Sequence, residues 1–96
     1  MMTIDLAIAT WRADGIRRVA KMLQAPQEGV RYVVSWQAHE NAPMPQELIR
    51  EDVTILLTDC VGLSANRNNA LDHCTADIVV IADDDLDYIP GAFDKL

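Results

Sequence analysis

Apolar residues in this chain gather into four short runs, and the stretch after the first of them carries a helical spacing. The first run, residues 4–9, holds one aspartate among aliphatic side chains and predicts a strand ending near Thr10. Asp14 then stands as an N-cap before Ile16, Val19, Ala20 and Leu23, a spacing that lines one face of a helix. Pro26 and Gly29 punctuate its end. Residues 30–36 predict a second strand centred on Tyr32, Val33 and Val34, and residues 39–45 a loop with two prolines. A short helix is expected over 46–52 and a third strand over 53–57. Gly62 opens a turn, and Ser64 is placed to cap a helix running to about His73. Residues 77–82 predict the fourth strand, and Pro90 suits the first position of a last helix. Strands alternating with helices imply a parallel sheet covered on its faces, because parallel neighbours need crossover connections. The expected class is α/β, a Rossmann-like three-layer α/β/α arrangement with a mostly parallel sheet.

The fourth run, Ile78-Val79-Val80-Ile81-Ala82, leads straight into Asp83, Asp84 and Asp85. Three adjacent carboxylates cannot enter a core, since burying an unpaired charge forces protonation or costs several kcal/mol. At the carboxyl end of a sheet strand such a cluster suits a hard divalent cation or sugar hydroxyls; a solvated acidic turn is the equal alternative. Thr10, Trp11 and Arg12, then Ser35, Trp36 and Gln37, and then the turn at Gly62 all fall at the same edge, which tips the balance toward a site. Arg67 lies in the first turn of its helix, where the helix dipole disfavours a cation. Its fork of donors suits a carboxylate, phosphate or base carbonyl; an ion pair with Asp83 or Asp59 tying helix to sheet is the structural alternative. Asn66, Asn68 and Asn69 are poor helix formers, so their clustering there points to hydrogen-bonding work.

Composition narrows the partners. With 96 residues the chain makes one domain at most, and 50% hydrophobic with 24% charged residues is a globular balance. A net charge of −7 argues against nucleic acid or an anionic membrane as partner. No apolar stretch approaches the roughly 20 residues of a membrane span, and the N-terminus has no signal-peptide pattern. A cytoplasmic location is expected. Cys60 and Cys74 have no paired spacing and are expected to be reduced thiols; no zinc set with His39 and His73 follows from spacing.

The run from Gly62 through Leu63-Ser64-Ala65-Asn66-Arg67-Asn68-Asn69-Ala70-Leu71, followed by Asp77 to Asp85, resembles the donor-binding half of a family 2 glycosyltransferase of the GT-A fold. A glycine-serine-x-x-arginine-asparagine helix start and an apolar strand entering a DxD-type motif, in that order and separated by one helix, are the matching features. Ile8-Ala9-Thr10-Trp11-Arg12 is similar to the first strand and nucleotide loop of that family, with Ala9 and Trp11 where proline and tyrosine are common. The resemblance implies a nucleotide-diphospho-sugar donor held with Mg²⁺ or Mn²⁺. Thr10, Trp11 and Arg12 would border the base, with Gln37 nearby in place of a common aspartate. Arg67 and Asn68 would contact the nucleotide, Asp83 the ribose and Asp84 the donor. Asp83 and Asp85 would serve the metal. Trp36 reads equally as a stacking surface or as a buried aromatic.

In such enzymes the acceptor part and general base follow the DxD motif by many tens of residues, whereas this sequence ends at Leu96. Residues 1–96 are thus expected to be a single donor-binding half-domain, apparently truncated, with no nameable catalytic base. Enzyme and catalytically incomplete binding or assembly module are both open on this reading. Exposed sheet edges and apolar surface would invite homodimerisation. Other strand-end aspartate motifs fit less well. No GxxxxGK[ST] run occurs, an EF-hand loop from Asp83 would need glycine where Tyr88 stands, and a haloacid-dehalogenase motif would need threonine at Asp87.

Overall fold

The computed structural model describes residues 2–40, 42–59 and 62–83, with Leu63 and Asp83 described by their backbone. Strand β1 (Ile4–Trp11) leads into helix α1 (Arg12–Met22), then β2 (Val30–Gln37). A single 3-10 turn (Gln46–Leu48) precedes β3 (Val53–Thr58), helix α2 (Leu63–Asp72) and β4 (Ile78–Asp83). All pairings are parallel, in the order β3-β2-β1-β4. The chain first winds outward from β1 through β2 to β3, then crosses back to lay β4 on the other side of β1. That reversal makes the carboxyl ends of β1 and β4 a topological switch point, where open α/β sheets leave a crevice.

Strand alternation sorts the core onto two faces. On one, Leu6, Ile8, Tyr32, Val34 and Trp36 pack against Ile16, Val19 and Met22 of α1 and Leu48 of the 3-10 turn. On the other, the smaller Ala7 and Val33 meet Ala70 of α2, with Leu56, Leu71 and Cys74 at the margin. The helices therefore lie on opposite faces and the domain has three layers, the α/β class that the alternation of elements implied. The described ladder is wholly parallel. Pro90 and its expected helix lie outside the described residues.

The boundaries shift from those expected, each for a visible reason. α1 begins at Arg12, so Asp14 sits inside its first turn rather than capping it. What fixes the start is the buried Trp36, whose Nε1–H donates to the Arg12 carbonyl at 3.0 Å. α1 ends at Met22, before Pro26: the Gln24 N–H donates to the Tyr32 hydroxyl, and the Gln24 carbonyl accepts from Arg50 at 2.9 Å, drawing the chain away. Arg50 also pairs with Asp52, which leaves only a 3-10 turn where a helix over 46–52 was expected. Ser64 lies within the first turn of α2, and Gly62 is the N-cap residue. Gly62 has φ +94° and ψ 153°, a region that essentially only glycine adopts. A Cβ there would meet no atom within 4 Å, so the cost of Gly62→Ala is conformational alone. It is expected to destabilise the domain by about 1–3 kcal/mol in a denaturant titration.

Candidate functional site

The carboxyl edge is built from strand ends that run one residue further than the apolar pattern suggests. Trp11 pairs with Gln37 and Gln37 with Thr58, while Asp83 pairs with Ala9. Asp83 is thus within the β4 ladder, not the first residue beyond it. Two residues leave these strands in the left-handed region: Arg12 with φ 65° and Ala38 with φ 55°. Strain in non-glycine residues at adjacent strand exits is the kind that surrounding structure must hold in place. At Arg12 the holding groups are the Trp36 indole and the Trp11 ring, over whose centroid the guanidinium lies at 3.7 Å.

Helix α2 is docked on this edge by asparagines. Asn66 is buried and its Nδ2 donates to the Thr10 carbonyl at 3.0 Å. Asn69 Nδ2 donates to the Ser35 hydroxyl at 2.8 Å. The hydrogen-bonding work expected of the asparagine cluster is therefore done chiefly by Asn66 and Asn69, while Asn68 faces solvent. Because Asn66 reaches the end of β1, the first turn of α2 stands over the β1 exit, and Arg67 follows it there, half-buried. Among the residues singled out from sequence, Thr10 is buried, Trp11 is half exposed, Arg12 is exposed and Gln37 is half-buried at the end of β2. Trp36 is buried, so it is a core aromatic and not a stacking surface. Asp84 and Asp85 lie outside the described residues. Thr10, Trp11, Arg12, Gln37, Arg67, Asn68 and the backbone of Asp83 all belong to the same end of the sheet.

A second group at that edge escaped the sequence reading. His39 and Glu40 follow β2, Asp59 follows β3, and one ligand atom from each lies within 4.8 Å of the other two. The two segments are neighbours because Gln37 and Thr58 are register partners. The imidazole stands edge-on to the Trp36 ring, with centroids 5.9 Å apart at 62°. No spacing signal could have found this set, since its members are separated by a whole loop and strand.

The opposite, amino end of the sheet carries a structural clasp. Asp5 is buried, and its carboxylate accepts from Arg31 Nε at 3.1 Å and Nη2 at 2.8 Å. It also accepts from the Thr75 and Ala76 amides at 2.9 and 3.2 Å. Burial alone would raise the Asp5 pKa, but the Arg31 guanidinium and the two amides outweigh it and hold the carboxyl below its ordinary value. His73 and Cys74 lie at this end, just past the last turn of α2, so they cannot join His39 in one metal set. The Cys74 thiol donates to the Ala70 carbonyl and is pushed up in pKa by burial, as an inert thiol would be.

A parallel α/β sheet with its reversal beside β1 leaves a crevice at the carboxyl ends of its strands, the place where open sheets of this class take ligands. The family model for glycosyl transferase family 2 matches residues 44–96, more than half of the chain. The chain belongs to that family. The match takes in β3, α2 and β4, the part that holds Arg67 and the aspartates, while β1, α1 and β2 lie before it. No curated protein and no solved structure matches the chain. Among the described residues no helix is long and apolar enough to cross a membrane.

Proposed function

We propose that the carboxyl edge binds a nucleotide-diphospho-sugar, with Mg²⁺ or Mn²⁺ at the strand-end aspartates, for transfer of the sugar to an acceptor. One observation carries the reading. The Asn66 side chain joins the first turn of α2 to the end of β1, while Asp83 is the register partner of Ala9 on that same strand. Arg67 and the start of the acidic triplet thus flank one switch point. In this reading the half-exposed Trp11 ring offers a face to the base, and Arg67 supplies donors to the nucleotide. Gln37 and Asn68 add amide hydrogen bonds at the rim, and the exposed Arg12 adds a positive charge beside Trp11. Thr10, being buried, contributes through its backbone position.

The aspartates fit the ion. Carboxylate oxygens are the hard donors these cations take, and Asp83 begins the set at the carboxyl end of its strand. Asp83 and Asp85 would hold the metal, with Asp84 toward the donor. When bound, the ion offsets negative charge on the departing nucleoside diphosphate.

Differential scanning fluorimetry with UDP- and GDP-sugars, each with and without Mn²⁺, tests the reading. The expected result is a metal-dependent stabilisation that Asp85→Ala abolishes. Arg67→Ala is expected to weaken nucleotide affinity about 10- to 100-fold, the worth of a charge-assisted donor pair. Retained metal dependence in Asp85→Ala, or no nucleotide response at all, would overturn it. Release or transfer of the sugar from a bound donor then separates an enzyme from a binding module.

A further inference from the structure

We propose that His39, Glu40 and Asp59 form a second cation site, distinct from the strand-end aspartates and selective for a transition ion of the Zn²⁺ type. Parallel neighbours are about 4.8 Å apart, so across the order β3-β2-β1-β4 the β4 exit stands about 10 Å from the β2 exit and about 14 Å from the β3 exit. The set therefore draws on the ends of β2 and β3, on the other side of β1 from the strand that leads into the acidic triplet. The site does not depend on donor binding.

Its chemistry follows from the donor set. One imidazole nitrogen with two carboxylates is a mixed set that suits Zn²⁺ and its neighbours, whereas Mg²⁺ prefers oxygen alone. The ligand atoms lie within 4.8 Å of one another, and a tetrahedral ion at about 2.1 Å from each would draw them to about 3.4 Å. Glu40 and Asp59 are exposed and can make that adjustment by side-chain rotation. His39 is half-buried, and the edge contact with the Trp36 ring orients its imidazole. Trp36 is itself fixed by its hydrogen bond to the Arg12 carbonyl, so the ring is supported from below much as outer-shell partners support metal ligands. Two carboxylates held this close repel, and no salt bridge reaches Glu40 or Asp59 among the described residues. An ion bridging the two exits would remove that repulsion and tie β2 to β3 beyond the end of their ladder. Three protein ligands at an exposed edge leave a coordination position open to water or a ligand.

The test is titration of the full chain with Zn²⁺ by calorimetry, and with Co²⁺ followed by its visible absorption, both with Mg²⁺ in large excess. The expected result is saturation at one ion per chain. His39→Ala is expected to lower affinity by more than about 100-fold, since losing even an outer-shell partner costs 10- to 100-fold. Asp59→Asn, at an exposed position, gives the same loss without touching the core. A Cys60→Ser/Cys74→Ser variant should bind like the parent. Absence of saturable binding, affinity retained in both ligand variants, or loss of binding in the cysteine variant would each overturn the proposal. Circular dichroism of the His39 and Asp59 variants separates loss of the site from loss of the fold.

Discussion

Asp5→Ala is expected to destabilise the domain by about 3 kcal/mol, enough to reverse much of the stability of a chain this small. The carboxylate is 3% exposed and joins three segments: it holds Arg31 on β2 and the Thr75 and Ala76 amides before β4. Removing it takes the carboxylate from a guanidinium that keeps, among the described residues, only the His73 carbonyl and Thr75 hydroxyl as partners, and leaves two N–H groups without their acceptor. Breaking one side of a buried pair typically costs 3–5 kcal/mol, and the low end applies because the Arg31 side chain is 38% exposed and can turn to water. Asp5→Asn keeps an acceptor but loses the charge, so it should fall between parent and alanine, at about 1–2 kcal/mol. Urea titrations of the three proteins decide it. A cost below about 1 kcal/mol for the alanine variant would mean that the clasp does not hold β4 in register.

The same clasp sets a direction for pH. The Asp5 carboxyl is held below its ordinary 3.8 in the folded state, so the unfolded chain binds its proton first as pH falls. Its contribution is then fully present above about pH 4 and disappears as pH drops through the folded value. The stability gap between parent and Asp5→Asn should therefore be constant near neutrality and shrink on acidification. A gap that widened in acid would contradict the sign.

Asp5 also shows what the sequence could and could not reveal. The four strands are legible because each is a run of β-branched and aliphatic residues of strand length, and their alternation with helices dictates a parallel sheet. Strand ends are less legible, since Gln37, Thr58 and Asp83 join the ladder through backbone groups that any residue carries. Asp5 reads as an interruption of an apolar run; its burial makes sense only once register puts it beside Arg31. Caps failed for a related reason. Asp14 and Ser64 are both able to cap, yet α1 is started by an indole from β2 and α2 by the backbone freedom of Gly62. Of the candidate site, the arginine and aspartate motifs announce themselves locally. The His39-Glu40-Asp59 set does not, because it is assembled by the pairing of two strand ends.

Trp36→Ala is expected to be the other severe substitution, at about 3–5 kcal/mol. The side chain is 2% exposed and fills the α1 face beside Val34 and Ile8. Its loss opens a cavity and orphans the Arg12 carbonyl at a residue already held at positive φ. Trp36→Phe separates these effects: most of the packing stays, while the Nε1–H bond disappears, for about 1–2 kcal/mol. If that bond is what holds Arg12 in its left-handed turn, the phenylalanine variant should fold cooperatively yet bind nucleotide more weakly, because Trp11 and Arg12 lose their fixed orientation. Trp11 is then the only tryptophan left in the chain, and its half-exposed ring reports directly on the edge. Nucleotide added to Trp36→Phe should quench that emission, with a midpoint shifted to higher concentration than in the parent. Quenching at an unchanged midpoint would mean that the β1 exit keeps its shape without the indole, and that the strained turn is held by α1 alone.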